Sequence, residues 1–249
     1  MLTAERRQAI LQLLRESGVV RVPELSHRFH VSESTIRRDL EYLAEQGWAR
    51  RTYGGAVAVR NGEKPSPPQT GDAEAEAIGR TAASLIRPGE TIFLGAGPLI
   101  EALIPHLAEA QDLTVVTNGL ETAHRLARET PVTLIVAGGQ VERPAMALTG
   151  HLTEAALTEL RADKVFLEVD GISPLEGVTV EDLHQASVVR TLLNLPAEVT
   201  VLVRAERLGR VGPAWVAPVD AVDQLVTGRA APTAVLWDLS EQGLRIVLA

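Results

Sequence analysis

Between Val31 and Leu40 the sequence reads VSESTIRRDL. Ser32, Ser34 and Thr35 supply hydroxyls, and Arg37 and Arg38 supply two adjacent guanidinium groups. With Ser32 as a helix N-cap, Ile36, Leu40 and Leu43 fall at i, i+4 and i+7 and make one apolar stripe. Ser34 and Arg38 then face away from that stripe, with Arg37 on its flank. Glu41 and Glu45 also face outward, but only in the later turns. Hydroxyl and guanidinium donors are therefore confined to the helix start, where free N–H groups and the positive end of the dipole favour an anion. Arginine is the usual bidentate partner of guanine, and Ser and Thr reach phosphates or bases. An Arg37–Glu41 pair on a solvated helix face is the bland alternative. Arg50, Arg51 and Tyr53, beside Gly54-Gly55, form a second basic group in reach of a nucleic-acid backbone. Asp39 lies sideways on the wheel and is expected to find a partner within the chain.

Other chemistries find little support. The chain has no cysteine, which excludes disulfides, thiolate metal sites and a cysteine nucleophile. His106, His124, His151 and His184 never fall at HxH or HxxxH spacing, so no metal is expected. Glu181-Asp182 near Asp170 is better read as a solvated loop than as an acid/base pair. Neither a cofactor nor an enzyme is expected.

The elements that carry the donors belong to a compact N-terminal module, residues 1–59. A first helix runs from an N-cap at Thr3 to Gly18, with Ile10, Leu13 and Leu14 apolar. VVRV is extended, and PELSHRF is a second helix with Pro23 at its first position. The third helix runs from Ser32 to about Gln46 and stops at Gly47. WARRTYGGAVAV reads as strand, Gly-Gly turn, strand. Three helices and a hairpin make a winged helix-turn-helix, whose third helix enters the major groove by its first turns. Residues 60–72, with three prolines, two glycines and no aliphatic side chain, are a linker. Residues 1–64 hold 11 Lys+Arg against 8 Asp+Glu, and the rest 13 against 24, so a basic module is joined to an acidic one. No N-terminal signal appears and no apolar run approaches the roughly 18 residues of a membrane span, so a soluble cytoplasmic protein is expected.

Residues 73–249 alternate helices with aliphatic strands: TIFLG, LTVVTN, VTLIVAGG, KVFLEVD, VTVLVR, AVDQLVTG and RIVLA. That order predicts a Rossmann-like, mostly parallel α/β domain covered on both faces. Ligands bind such sheets beyond the carboxyl ends of the strands. Those ends are Gly95-Ala96-Gly97, Thr117-Asn118-Gly119, Gly138-Gly139, Asp170-Gly171 and Arg204, which mark an expected small-molecule site. GAGPLI lacks the third glycine of a dinucleotide loop and the GK[ST] of a phosphate loop.

These residues resemble a known family. RRQAILQLLRESGVVRVPELSHRFHVSESTIRRDLEYLAEQG and RRTYGGAV are similar to the N-terminal domain of DeoR-family bacterial transcription regulators. VVTNGLETAHRLA, IVAGGQV, TGHLTEAAL, DKVFLEVDGI, GVT…EDL and VDQLVTG follow the order of that family's effector domain, itself similar to ribose-5-phosphate isomerase. The resemblance implies operator binding by Ser32, Ser34, Thr35, Arg37 and Arg38, with Arg50, Arg51, Tyr53 and Gly54 as the wing. It also implies repression relieved by a phosphorylated sugar or related metabolite, and adds Thr179, Asp182 and Arg207 to the effector residues.

Several positions depart from the family pattern. The first loop, usually DSGTT, has lost every hydroxyl, and Pro98 removes an N–H. The usual lysine of the VKR segment is Val189, and Glu168 adds a carboxylate. A sugar phosphate, a different ligand positioned by Arg204 and Arg207, and a pocket with no ligand all stay open. So do two other functions, an isomerase-like enzyme and a constitutive DNA-binding protein. Because one module of net +3 offers few phosphate contacts, a homodimer or homotetramer on double-stranded operator DNA is expected.

Overall fold

The computed structural model describes residues 6–7, 9–10, 13–14, 19–45, 49–52, 55–58 and 72–249. It divides into two compact units, Met1–Thr70 and Gly71–Ala249. The expected linker lies outside the described residues except for Asp72, as do Thr3, Gly18, Gly47 and the turn residues Tyr53 and Gly54.

In the first unit Arg6, Arg7, Ala9, Ile10, Leu13 and Leu14 are helical. Strand β1 (Val19–Arg21) leads into helix α1 (Val22–Phe29) and helix α2 (Glu33–Glu45). Pro23 stands second rather than first in α1, because Val22 already has helical geometry. His30 closes α1 in the left-handed conformation (φ 51°), and the Ser26 hydroxyl donates to the Val31 carbonyl at 2.7 Å. That turn sets the angle between α1 and α2. Strands β2 (Ala49–Thr52) and β3 (Gly55–Ala58) pair antiparallel, and β1 joins the far edge of β3. Ile10, Leu14, Val20, Val22, Leu25, Ile36, Leu40, Leu43 and Ala56 share one buried core, so the apolar stripe of α2 faces inward.

The second unit is built on seven parallel strands: β4 (Thr91–Leu94), β5 (Thr114–Thr117), β6 (Thr133–Val136), β9 (Lys164–Glu168), β12 (Glu198–Val203), β14 (Gln224–Thr227) and β15 (Arg245–Leu248). Their order across the sheet is β15-β14-β12-β9-β4-β5-β6. Alternate side chains serve opposite faces, as the pleat requires. Ile92, Leu94, Phe166, Leu202 and Val226 pack on one side with the helix Ala73–Ala83 and the helix Leu120–Glu129. Phe93, Val165, Leu167, Val201 and Leu225 pack on the other with the helices His151–Thr158, Leu183–Leu193 and Thr233–Glu241. The helices therefore cover both faces of the central strands, which is why those are apolar throughout, whereas Ile135 and Val136 of the edge strand β6 stay exposed. A hairpin of β7 (Gln140–Glu142) and β8 (Ala147–Thr149) follows β6, and a three-stranded antiparallel sheet is made by β10 (Gly171–Ser173) and β11 (Gly177–Val180), which follow β9, with β13 (Ala214–Ala217), which follows β12. From β4 the chain builds outward through β5 and β6, then returns to lay β9 on β4's other side. The order reverses between β4 and β9, and a crevice opens there.

Candidate functional site

Two surfaces carry the polar groups anticipated above, one in each unit. In the first unit, Ser32 caps α2: its Oγ accepts from the Thr35 N–H at 3.3 Å. It also lies 2.8 Å from Ser34 Oγ and 2.9 Å from Thr35 Oγ1, which gathers three hydroxyls at the start of the helix. Arg37 and Arg38 are both exposed on the next turn. Arg37 donates to Glu33 at 3.0 Å, on its N-terminal side; the side chain of Glu41 lies outside the described residues. Arg38 has no hydrogen-bond or ion-pair partner among the described residues. Arg50 and Arg51 stand on β2 opposite Val57 and Ala56. Their side chains, with Tyr53 and Gly54, lie outside the described residues.

Asp39 has the opposite environment. It is 1% exposed and accepts from Arg6 Nε at 2.6 Å and from Arg7 Nε at 2.9 Å. Arg6 is itself 7% exposed. This buried carboxylate ties α2 to the helical residues near the N-terminus. It leaves the adjacent Arg38 to face solvent.

In the second unit, a narrow crevice lies at the β4/β9 switch point and opens to solvent. Gly95 and Ala96 after β4, Asn118 after β5, and Leu167 and Glu168 at the end of β9 form its floor. Gln185, Val188, Val189 and Leu192, one stripe of the helix Leu183–Leu193, form a wall, with Ala147 opposite. Glu168 Oε2 accepts from the Leu99 N–H at 2.7 Å, which puts a carboxylate against the first turn of the short helix Pro98–Glu101. Gly97 makes this possible: its φ is +133°, and a Cβ there would overlap the Glu168 carboxylate. Burial pushes the Glu168 carboxyl up to about 7; the Leu99 N–H and Arg204 oppose that rise, while Asp170 and Glu101 add to it.

The other expected effector residues are mostly spent on the fold. Thr117 is fully buried and its Oγ1 accepts from the Gly119 N–H at 3.0 Å. The Gly138 carbonyl accepts from Thr153 Oγ1 at 2.7 Å, and a side chain at Gly139 would overlap the same hydroxyl. Asp170 accepts from the Glu181 N–H, and Thr179 Oγ1 from the Gly212 N–H, each at 2.8 Å. Asp182 caps the helix Leu183–Leu193 by accepting from His184 and Gln185 N–H groups. Arg204 pairs with Asp72 at 2.5 Å and Glu74 at 3.6 Å, and Arg207 with Glu181 at 3.1 Å. The Arg204 bond holds the Asp72 carboxyl below its ordinary range. Gly95, Ala96 and Asn118 line the crevice. Gln185, Val188 and Val189 line it too; on a helix their spacing of i, i+3, i+4 is the signature of a core stripe. Among the described residues no three His, Asp or Glu side chains are placed to hold a metal ion, and no helix is long and apolar enough to cross a membrane.

A capped, arginine-bearing helix on a small winged unit, joined to a parallel α/β unit with a crevice at its switch point, defines a DNA-reading regulator carrying a sensor. Residues 6–61 match the DeoR-like helix-turn-helix domain and residues 72–229 the DeoR C terminal sensor domain. The chain belongs to the DeoR family. It is 32% identical to the HTH-type transcriptional regulator YgbI of Escherichia coli (strain K12), over 100% of this chain and 99% of that one. It is 31% identical to the HTH-type transcriptional regulator GolR of Listeria innocua serovar 6a, over 100% of both. It is 29% identical to the glycerol-3-phosphate regulon repressor of Escherichia coli (strain K12), again over 100% of both. Among solved structures, ribose 5-phosphate isomerase A of Methanocaldococcus jannaschii is 16% identical with a TM-score of 0.40, over 54% of this chain and 53% of that one. A translation initiation factor eIF-2B of Pyrococcus horikoshii is 12% identical with a TM-score of 0.46, over 90% and 86%.

Proposed function

We propose that this chain is a cytoplasmic repressor of genes for the metabolism of a sugar or nucleoside, released from its operator by a small metabolite bound in the β4/β9 crevice. The observation that carries this reading is the start of α2. There Ser32, Ser34, Thr35, Arg37 and Arg38 converge on one exposed end of a helix whose opposite face is fully buried. A helix of this kind lies in the major groove, its hydroxyls and N–H groups on phosphates and its arginines on base edges. Repression of a metabolic operon is favoured by relatives such as the glycerol-3-phosphate regulon repressor. Two or four modules, brought together by the second unit, would multiply the phosphate contacts that one module provides.

The test is a mobility shift of the purified protein on its own upstream DNA, with and without a panel of metabolites. Specific binding is expected. Arg38→Ala is expected to weaken it by about 1–3 kcal/mol and to relax the preference at one base pair. Undiminished affinity when Arg37 and Arg38 are both replaced by alanine would overturn the assignment of α2.

A further inference from the structure

Among the described residues, no Lys, Arg or His lines the crevice. The two arginines expected to position a ligand are engaged elsewhere, Arg204 with Asp72 and Glu74, and Arg207 with Glu181. Glu168 is the only charged residue lining the crevice among the described residues. Among the described residues that carboxylate takes one hydrogen bond, from the Leu99 N–H, and no ion pair. The N–H that an incoming anion would use is thus already held by an acceptor of the chain. An anion entering here would displace a carboxylate it repels; Asp170 and Glu101 add to the negative field at that carboxylate, and Arg204 opposes it.

The remaining polar groups suit a hydroxylated ligand. Asn118 is 6% exposed and lines the crevice; its Nδ2 donates to the Leu148 carbonyl at 3.0 Å, while its Oδ1 has no partner among the described residues. The Gln185 side chain, also on the lining, makes no hydrogen bond among the described residues. The Asn118 oxygen is thus open to the crevice and free to accept from a ligand hydroxyl or from water. Val188, Val189 and Leu192 offer an apolar wall to a carbon skeleton. An ammonium group against Glu168 would supply the missing counter-charge, and hydroxyls would reach Asn118 and Gln185.

We propose that the β4/β9 crevice takes a small, unphosphorylated, hydroxylated amine of the amino-sugar or amino-polyol class, with Glu168 as the counter-ion of its ammonium group. This rests on the reading of the crevice as the sensor's ligand site.

The test is thermal unfolding of the full chain with matched triplets of probes: an amino sugar or amino polyol, the neutral parent with hydroxyl in place of the amine, and the phosphate ester of that parent. At least one amine is expected to raise the melting temperature by about 5–10 °C at a hundredfold excess over its Kd, with its neutral parent and phosphate ester having less effect. Glu168→Gln keeps the acceptor for Leu99 and should weaken that amine at least about tenfold. The proposal is overturned if a phosphate ester stabilises more than its amine, if no amine outperforms its neutral parent, or if Glu168→Gln leaves the amine's effect intact. Mobility shifts on operator DNA run alongside separate the two readings. A chain that binds operator but ignores every amine removes this inference alone, whereas a chain that binds no operator removes the regulator.

Discussion

Glu168 shows how one side chain writes itself into a pH profile. Its carboxyl is pushed up to about 7 from an ordinary 4.5, mainly by burial. Between those values the folded chain keeps a proton that the unfolded chain has released. Stability from this group is therefore highest below 4.5, falls as pH rises toward 7, and stays at the lower level above that. Glu168→Gln removes the penalty and still accepts from Leu99. It is expected to be more stable than the parent by about 2–3 kcal/mol at pH 8 and nearly equal to it at pH 4. Urea unfolding at the two pH values checks this, and equal stability at pH 8 would mean that water solvates the carboxyl. The position was visible in the sequence as an added carboxylate at a strand end. Its contact with the Leu99 N–H was not, because residues 69 apart in sequence meet only through the β4/β9 pairing.

At the scale of elements, the two ionic contacts of Asp39 hold α2 against the helical residues Arg6 and Arg7. Asp39→Ala would strand the buried Arg6 guanidinium and is expected to cost about 3–5 kcal/mol. Urea unfolding of the full chain should show an earlier loss of helical signal, and operator binding should fall with it. An unchanged unfolding curve would place Arg6 in water. The helical wheel already put Asp39 off the exposed face, so this contact was half legible in the sequence. The seven strands of the parallel sheet were legible as well, because strands buried on both faces are continuous aliphatic runs. Strands β7, β8, β10, β11 and β13 were not: they are three or four residues long and several begin at glycine or end beside proline. The crevice was half legible. Strand-end glycines and Asn118 gave its floor, but Gln185, Val188, Val189 and Leu192 repeat the spacing of any helix packed on a sheet.

Across the whole molecule, the charge asymmetry separates a basic end from an acidic one. A net charge of −8 repels DNA at long range, so on the proposed reading affinity comes from local contacts of the basic modules of an assembled repressor. Operator affinity is expected to fall steeply with salt, by about a thousandfold or more between 50 and 200 mM if six or more phosphates are neutralised. Mobility shifts across that range, with light scattering for the mass in solution, check this. A shallow dependence from a monomer would contradict assembly on the operator.

The chain enters its second unit at Asp72, and that point of entry is moored. Asp72 caps the helix Ala73–Ala83 by accepting from the Ala75 N–H and also grips Arg204 just past the end of β12. Glu74 adds a second line to the same guanidinium and accepts from the Ala205 N–H. Arg204 in turn contributes to the field at Glu168, at the end of the neighbouring strand. The mooring thus stands at the end of β12, beside the strand that carries Glu168. One guanidinium, held by two carboxylates, thus lies both in the field of Glu168 and at the point where the chain enters its second unit.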